Sequence, residues 1–422
     1  MRRRSSLLVL PAIVLAACAT DAGVRTGQAR GGVSVQPSSS AVVVGSLPAR
    51  LPSSSSTSLA TTSSSSSTSP APASPSNTSS TTEPSLPRPL RLVFTGDVLM
   101  HSPLWRQALR NGGGPVPDFT PMFDHIRPVV ETADLAVCHL ETPIAPPGEA
   151  YSTSPRYGVP AEVVDALAAT GFDHCSTASN HTFDRGVAGV DATADRFDEV
   201  GISQHGMARV PAEQEPVLVE VDGFTIGLLS ATYGFDSGVR PADEPWRSSL
   251  IDADRIIADA ALARSRGAEL VIVSLHWGNS NSHNASSSQR QIATQLAESG
   301  MVDLVIGHHA HVVQPIEHIR AMWVAYGLGN LISNLPIPGG VWGAASRDGL
   351  VVEIVVQRGS NGTVSIEPPI ARPVWVDRDA GWVVRDLALA ISDPELVARL
   401  GPELEQSWVR TAAVVGDSLV PR

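Results

Sequence analysis

Three cysteines in 422 residues are too few for a disulfide-built scaffold. Basic residues are also in the minority: 30 Lys and Arg stand against 42 Asp and Glu, for a formal net charge of −12. Such a chain is a poor generic binder of nucleic acid, because neutralising phosphates takes Lys and Arg. It is an equally poor binder of anionic lipid through charge alone. No internal repeat is visible. The apolar run from Leu7 to Ala17 is far short of the ~20 residues that span a bilayer.

That short run has a different meaning. It follows Met1-Arg2-Arg3-Arg4 and reads as a secretory signal. Its end, Leu15-Ala16-Ala17-Cys18, resembles a bacterial lipobox, which implies a signal peptide over residues 1–18 and a lipidated Cys18 at the start of the mature chain. An ordinary signal peptide with an incidental cysteine is the alternative. With a lipid on Cys18, the expectation is an exported protein anchored to the membrane at its extracytoplasmic face. Residues 19–88 follow as an expected disordered linker. Between Ser53 and Ser85 it is nearly all Ser, Thr, Pro and Ala, which cannot bury enough apolar surface to offset chain entropy. The linker serves as a spacer, with O-glycosylation as a further option.

From residue 89 the pattern changes. Short β-rich runs at 91–95, 135–139, 172–177, 217–221, 224–230, 269–275, 303–306, 323–327 and 349–356 alternate with amphipathic stretches at 160–170, 187–200, 252–266 and 286–299. This alternation predicts an α/β domain over 89–373. Asp222-Gly223 between two of the runs is a hairpin signal and implies a mixed sheet. Residues 374–422, with Pro394 and Pro402, read as a helical tail that either packs on the domain or partly frays.

In open α/β sheets ligands gather beyond the carboxyl ends of strands, and this sequence places polar residues there. Asp97, Glu141, Asn180 with His181, His276, His308 with His309 and His311, and Asn330 each follow a predicted strand. Carboxylate, amide oxygen and imidazole together suit Mn, Fe, Zn or Co. A carboxylate such as Glu141 could bridge two ions that activate a shared water, while a neighbouring histidine protonates the leaving group. His125, His174, His205, His283 and His318 are expected to be ordinary core or loop residues.

Six segments in order then carry a family resemblance: Phe94-Thr95-Gly96-Asp97-Val98, Leu140-Glu141-Thr142-Pro143, Ser179 to Gly186, Leu275-His276-Trp277-Gly278, Gly307 to Pro315, and Tyr326 to Asn330. The stretch from about 91 to 357 resembles the capsule-synthesis protein CapA family, associated with poly-γ-glutamate capsule, and through it the calcineurin-like metallophosphoesterases. The resemblance implies an αββα sandwich of two mixed β-sheets and two divalent metal ions. It assigns Asp97 and His311 to the first ion, Asn180, His276 and His309 to the second, and Glu141 to both. His181 becomes the general acid and Asp184 its orienting partner. His308 falls to a supporting or substrate-contacting role, and His101 is a weaker candidate for the first ion. Asn279-Ser280-Asn281 departs from the acidic residue the family often carries after His-Trp-Gly.

Two functions are compatible with these residues. One is a surface-anchored, metal-dependent phosphoesterase or amide hydrolase acting on capsule or another cell-envelope polymer. The other is a non-catalytic protein that binds or tethers such a polymer and uses the metals structurally. The expected partners are the membrane, through Cys18, and the polymer or its capsule machinery. Cys138 and Cys175 could pair, since export permits a disulfide, with buried free thiols as the favoured expectation; Trp277 and Trp342 are expected to line the pocket, Trp323 to belong to the core, and Arg156, Tyr157 and Arg185 to lie near the site on loops.

Overall fold

A computed structural model of the protein describes residues 88–337 and 339–421. The expected signal peptide, Cys18 and the expected linker up to residue 87 lie outside the described residues. In chain order the strands are β1 (Leu90–Val98), β2 (Leu135–Leu140), β3 (His174–Ser176), β4 (Ser203–His205), β5 (Val217–Val221), β6 (Phe224–Thr232), β7 (Leu270–His276) and β8 (Leu304–His308). They continue with β9 (Ile316–Ile319), β10 (Met322–Ala325), β11 (Asn330–Ile332), β12 (Asp348–Arg358), β13 (Val364–Ile366), β14 (Ile370–Asp377) and β15 (Val383–Asp386). The helices are α1 (Ser102–Asn111), α2 (Thr120–Phe123), α3 (Arg127–Glu131), α4 (Glu162–Thr170), α5 (Gly186–Val200), α6 (Ala253–Ser265), α7 (Ser287–Ser299), α8 (Leu387–Ser392) and α9 (Pro394–Val415).

Among the described residues the strands form two mixed sheets. One runs β15-β14-β12-β1-β2-β3-β4, with β11 also on β1 and β13 also on β12. The other runs β5-β6-β7-β8-β10-β9. Each has a parallel core, β1 to β4 in the first and β6-β7-β8-β10 in the second, flanked by antiparallel strands. Period-two alternation explains how they stack. Leu90, Leu92 and Phe94 of β1 and Leu135 and Val137 of β2 meet Ile226, Leu270, Ile272, Leu304 and Ile306 of the second sheet in one core. The intervening Val93, Ala136, Cys138 and Leu140 face α1, α2 and α4. On the other side Val271, Val273, Leu275 and Val305 face α6 and α7. The layers are helix, sheet, sheet, helix: the αββα sandwich that the resemblance implies.

Local chemistry sets the element ends. Helix α7 starts at a capping box, with Ser286 accepting from the Gln289 N–H and Gln289 reaching back to the Ser286 N–H, and stops at Gly300 with φ +65°. The β5–β6 hairpin turns on Asp222 and Gly223, at φ +47° and +79°, as a two-residue turn with both central residues left-handed requires. No helix among the described residues is long and apolar enough to cross a membrane.

Two expectations need correction. The segment from 374 onward is not simply a helical tail. Strand β14 runs through Asp377 on β12, β15 pairs with β14, and helix begins only at Leu387. Pro373, which looks like a terminator, sits within β14 opposite Leu350. Helix α9 is tied down rather than frayed: Ser407 and Arg410 donate to the buried Asp348 carboxylate at 2.7 to 3.0 Å, and Leu404 and Trp408 pack on Trp375. Second, Cys138 and Cys175 are joined in a disulfide. They are register partners on β2 and β3 with Cα atoms 4.4 Å apart, inside the range a disulfide can bridge, so neighbouring strands did not keep them separate.

Candidate metal centre

The parallel cores of both sheets end at one place, where the inter-sheet core opens. His276 and His308 are the last residues of β7 and β8, paired across the register. They continue the inner faces laid down by Leu270 and Ile272, and by Leu304 and Ile306. Asp97 reaches the same face through a bulge. Simple alternation after Phe94 would turn it outward. However, Phe94 pairs with Val137 and Asp97 with His139, so three steps on β1 oppose two on β2. The extra residue turns Asp97 to the face of His139. Gly96 permits the close approach this needs, since a Cβ there would lie 2.2 Å from the Gly329 carbonyl oxygen.

Beyond β8 the chain passes through His309 at φ +86° and His311 at φ +54°. Left-handed backbone costs a residue with a Cβ roughly 1–3 kcal/mol and persists only where its surroundings impose it. Here they do. The His309 N–H donates to Asp97 Oδ2 at 3.1 Å. His311 Nδ1 lies 3.0 Å from Asn330 Oδ1 and 3.2 Å from Asp97 Oδ2. His308 donates from Nδ1 to Asp97 Oδ1 at 3.0 Å and stacks on His139 with ring centres 3.9 Å apart.

Glu141, the residue after β2, is fully buried, and neither carboxylate oxygen has a hydrogen-bond partner. Oε1 lies 3.6 Å from His311 Nε2, 3.8 Å from His276 Nε2 and 4.0 Å from His181 Nε2. Asn180 Oδ1 is 2.9 Å from His276 Nε2. Donor atoms of Glu141, His276 and His309 fall within 4.8 Å of one another, as do those of Asp97, Glu141 and His311, so Glu141 is common to two groups. Asp97, His139 and His308 form a third such group.

Electrostatics follow from this crowding. Burial pushes Glu141 up to about 7, against the pull of His311. Burial also disfavours charged His311, but Glu141 and Asp97 outweigh it and raise His311 to about 9. For Asp97, hydrogen bonds from His308 and His311 overcome burial and hold the carboxyl well below its ordinary value. Burial, helped by neighbouring imidazoles, keeps His276 and His139 well below the usual range and brings His309 to about 4. Neutral imidazole is the form that ligates a metal. A buried carboxylate with both oxygens unsatisfied is costly by itself. With the His276, His309 and His311 imidazoles and the Asn180 amide oxygen close by, it belongs to a donor set suited to divalent cations.

At the rim, His181 Nδ1 is 2.8 Å from Asp184 Oδ2, and the same oxygen accepts the Tyr157 N–H at 2.7 Å. Burial works against protonated His181, but the Asp184 hydrogen bond and the Glu141 charge raise it. The structure thus brings Asp97, Glu141, Asn180, His276, His309 and His311 together, with His181 and Asp184 beside them. His101 turns elsewhere, bonding the Tyr157 hydroxyl at 3.1 Å from Nε2 and lying 3.2 Å from the Leu99 carbonyl at Nδ1. Trp342 stands edge-on to His311, whereas Trp277 is a buried residue donating to the Tyr326 carbonyl and lines no pocket mouth. Tyr157 packs against His181, and Arg185 is committed to Glu149. Sequence reasoning missed His139 and Asp236. His139 left a signal, since it lies two residues before Glu141 on the inner face of β2. Asp236 left none, because the loop after β6 has no periodicity.

Several known proteins are similar to this chain. The chain is 25% identical over 286 residues to the PGA biosynthesis protein CapA of Bacillus subtilis, covering 66% of this chain and 71% of that protein. It is 24% identical over 331 residues to the capsule biosynthesis protein CapA of Bacillus anthracis, covering 75% and 77%. A solved phosphatase from Mycoplasma pneumoniae aligns with 75% of this chain and 99% of its own, at 12% identity and a TM-score of 0.41. Residues 91–335, more than half of the chain, match the family model described as bacterial capsule synthesis protein PGA_cap, and the chain belongs to that family.

Proposed function

We propose that this protein is a metal-dependent hydrolase of capsule or cell-envelope polymer synthesis, acting on a phosphoester or amide. The observation that carries this reading is the Glu141 carboxylate, fully enclosed, unpartnered at both oxygens and faced by three imidazole nitrogens within 4.0 Å. Asp97, His311 and Glu141 would hold one divalent cation, and Glu141, Asn180, His276 and His309 a second. Two such cations supply a nucleophile near neutral pH and charge stabilisation for the reacting centre.

The chain's own residues do the rest. Asp184 accepts from His181 Nδ1 and fixes the ring so that Nε2 faces Glu141 across 4.0 Å. The raised affinity of His181 for its proton lets it carry one near neutral pH and deliver it from Nε2 to a departing oxygen or nitrogen. Tyr157 supports this by donating its N–H to the same Asp184 oxygen and packing its ring against His181. His309 and His276, neutral through burial, bind rather than donate.

In the cell we place the domain outside the cytoplasmic membrane, anchored through Cys18 and spaced from it by the linker. The test is hydrolysis of an aryl phosphodiester by the full chain with Mn²⁺. Turnover should fall about 10²–10⁴-fold in His181→Ala. Absence of turnover in both proteins, with retained binding of poly-γ-glutamate, would replace this reading with the polymer-tethering one, which the capsule names of the relatives favour.

A further inference from the structure

The proposed second cation has two ligands whose orientation is not their own choice. His276 Nε2 and Asn180 Oδ1 face each other at 2.9 Å, and on hydrogen-bonding grounds alone either a flipped amide or the other imidazole tautomer would satisfy the pair. The surroundings fix the amide and link the tautomer to residues outside the pair.

The tautomer is linked to β2 and β3. The Ser176 hydroxyl lies 3.4 Å from the Cys138 carbonyl oxygen, which can only accept. With its hydrogen given to that carbonyl, Ser176 Oγ accepts from His139 Nδ1, 2.8 Å away. A neutral His139 with its hydrogen on Nδ1 has a lone pair on Nε2, and His276 Nδ1 sits 3.0 Å from it. In that direction His276 carries its hydrogen on Nδ1 and turns a bare Nε2 toward Asn180 and Glu141; with the Ser176 hydrogen given to His139 Nδ1 instead, the series reverses and His276 Nε2–H donates to Asn180 Oδ1. All three side chains in this chain of bonds are buried.

The amide is set from the rim. Asn180 Nδ2 donates to Asp236 Oδ2 at 2.8 Å, and a carboxylate cannot accept from a carbonyl oxygen. The Tyr233 hydroxyl donates to the other Asp236 oxygen at 3.0 Å, and the Asp236 N–H bonds the Asn180 carbonyl at 2.9 Å, so the carboxylate is held in place. Asn180 therefore presents Oδ1 inward. In the first direction two acceptors oppose each other at hydrogen-bond distance, with a carboxylate oxygen 3.8 Å from the same nitrogen, an arrangement that a cation between them satisfies.

We infer that Ser176, His139 and Asp236 are positioning residues that make a bare His276 Nε2 available, and hold Asn180 Oδ1, for one cation. This rests on the two-cation reading above and adds which residues outside the ligand set govern the second ion. Partners of ligands typically alter metal affinity 10–100-fold. The experiment is calorimetric titration of the metal-stripped full chain with Mn²⁺. Wild type should show two binding events. Ser176→Ala and Asp236→Ala should weaken one event 10–100-fold and leave the other within about threefold, with the metal-free melting temperature unchanged, and Ser176→Thr should restore the weakened event. Because Asp236 is on the rim, its variant reports even where the buried Ser176 variant folds poorly. Two events of wild-type strength in both variants would overturn the inference while leaving the cation reading standing. Equal loss of both events, or a parallel drop in metal-free stability, would make these residues structural and overturn it as well. No uptake by wild type would sink the cation reading and the inference together.

Discussion

Glu141→Gln keeps the shape of the most enclosed carboxylate in the site and removes its charge. Below about pH 4.5 the carboxyl is protonated in folded and unfolded chains alike, so burial costs nothing there. As pH rises the unfolded carboxyl ionises first, while the folded one resists until about 7, and above that pH the cost is complete. The difference amounts to about 3 kcal/mol against the metal-free fold. That value already contains the attraction of His311 for the carboxylate. In EDTA at pH 8 the Gln variant should therefore be more stable than wild type by about 3 kcal/mol, or a few degrees in melting temperature. Saturating Mn²⁺ should reverse the order. Wild type gains about 4 kcal/mol at a thousand times its dissociation constant, and a neutral amide bridges two cations poorly. Paired thermal melts in EDTA and in Mn²⁺ measure both signs. A variant less stable than wild type in EDTA too, or a wild type indifferent to every divalent cation, would refute the reasoning.

Other consequences lie away from Glu141. The buried Asp377 carboxylate receives Arg399 at 2.6 Å and Arg385 at 3.0 Å; burial pushes it up, but the two arginines outweigh this and hold it below its ordinary value. The stability it supplies is present above the unfolded value of 3.8 and is lost as pH falls through the lower folded one. Asp377→Asn should cost about 2–3 kcal/mol at pH 7, in urea melts whose gap closes below pH 4; a gap unchanged at pH 3 would contradict this. Gly96→Ala should cost about 3 kcal/mol or more and weaken Mn²⁺ binding, because the added methyl meets the Gly329 carbonyl at 2.2 Å; near-normal binding and stability would show that the strand end yields. Thiol titration of the unfolded, unreduced protein should find neither Cys138 nor Cys175 free. Their replacement by Ser should cost at most about 4 kcal/mol for a 37-residue separation.

The sequence made the sandwich legible where its strands alternate cleanly. Leu270 to His276 and Leu304 to His308 show their inner and outer faces in the order of their residues, and each ends on a histidine. Strands of three residues, such as β4 and β11, leave no periodicity to detect. β14 was hidden by Pro373 and by the long helix that follows. In the site, ligand-capable residues were visible because they sit at strand ends. The bulge that turns Asp97 inward was not, since a one-residue register slip depends on the partner strand. Asp236, on a loop without periodicity, was invisible for a similar reason, since it acts on a side chain brought to it only by folding; His139 could have been read from its place two residues before Glu141 on the inner face of β2.

The most direct measurement is diffraction from Mn²⁺-soaked crystals of the full chain, recorded on both sides of the metal absorption edge. The account expects two anomalous peaks about 3.5–4 Å apart, one against Asp97, Glu141 and His311 and the other against Glu141, Asn180, His276 and His309. A density map with no peak at Glu141, or with cations held only by other residues, would contradict it.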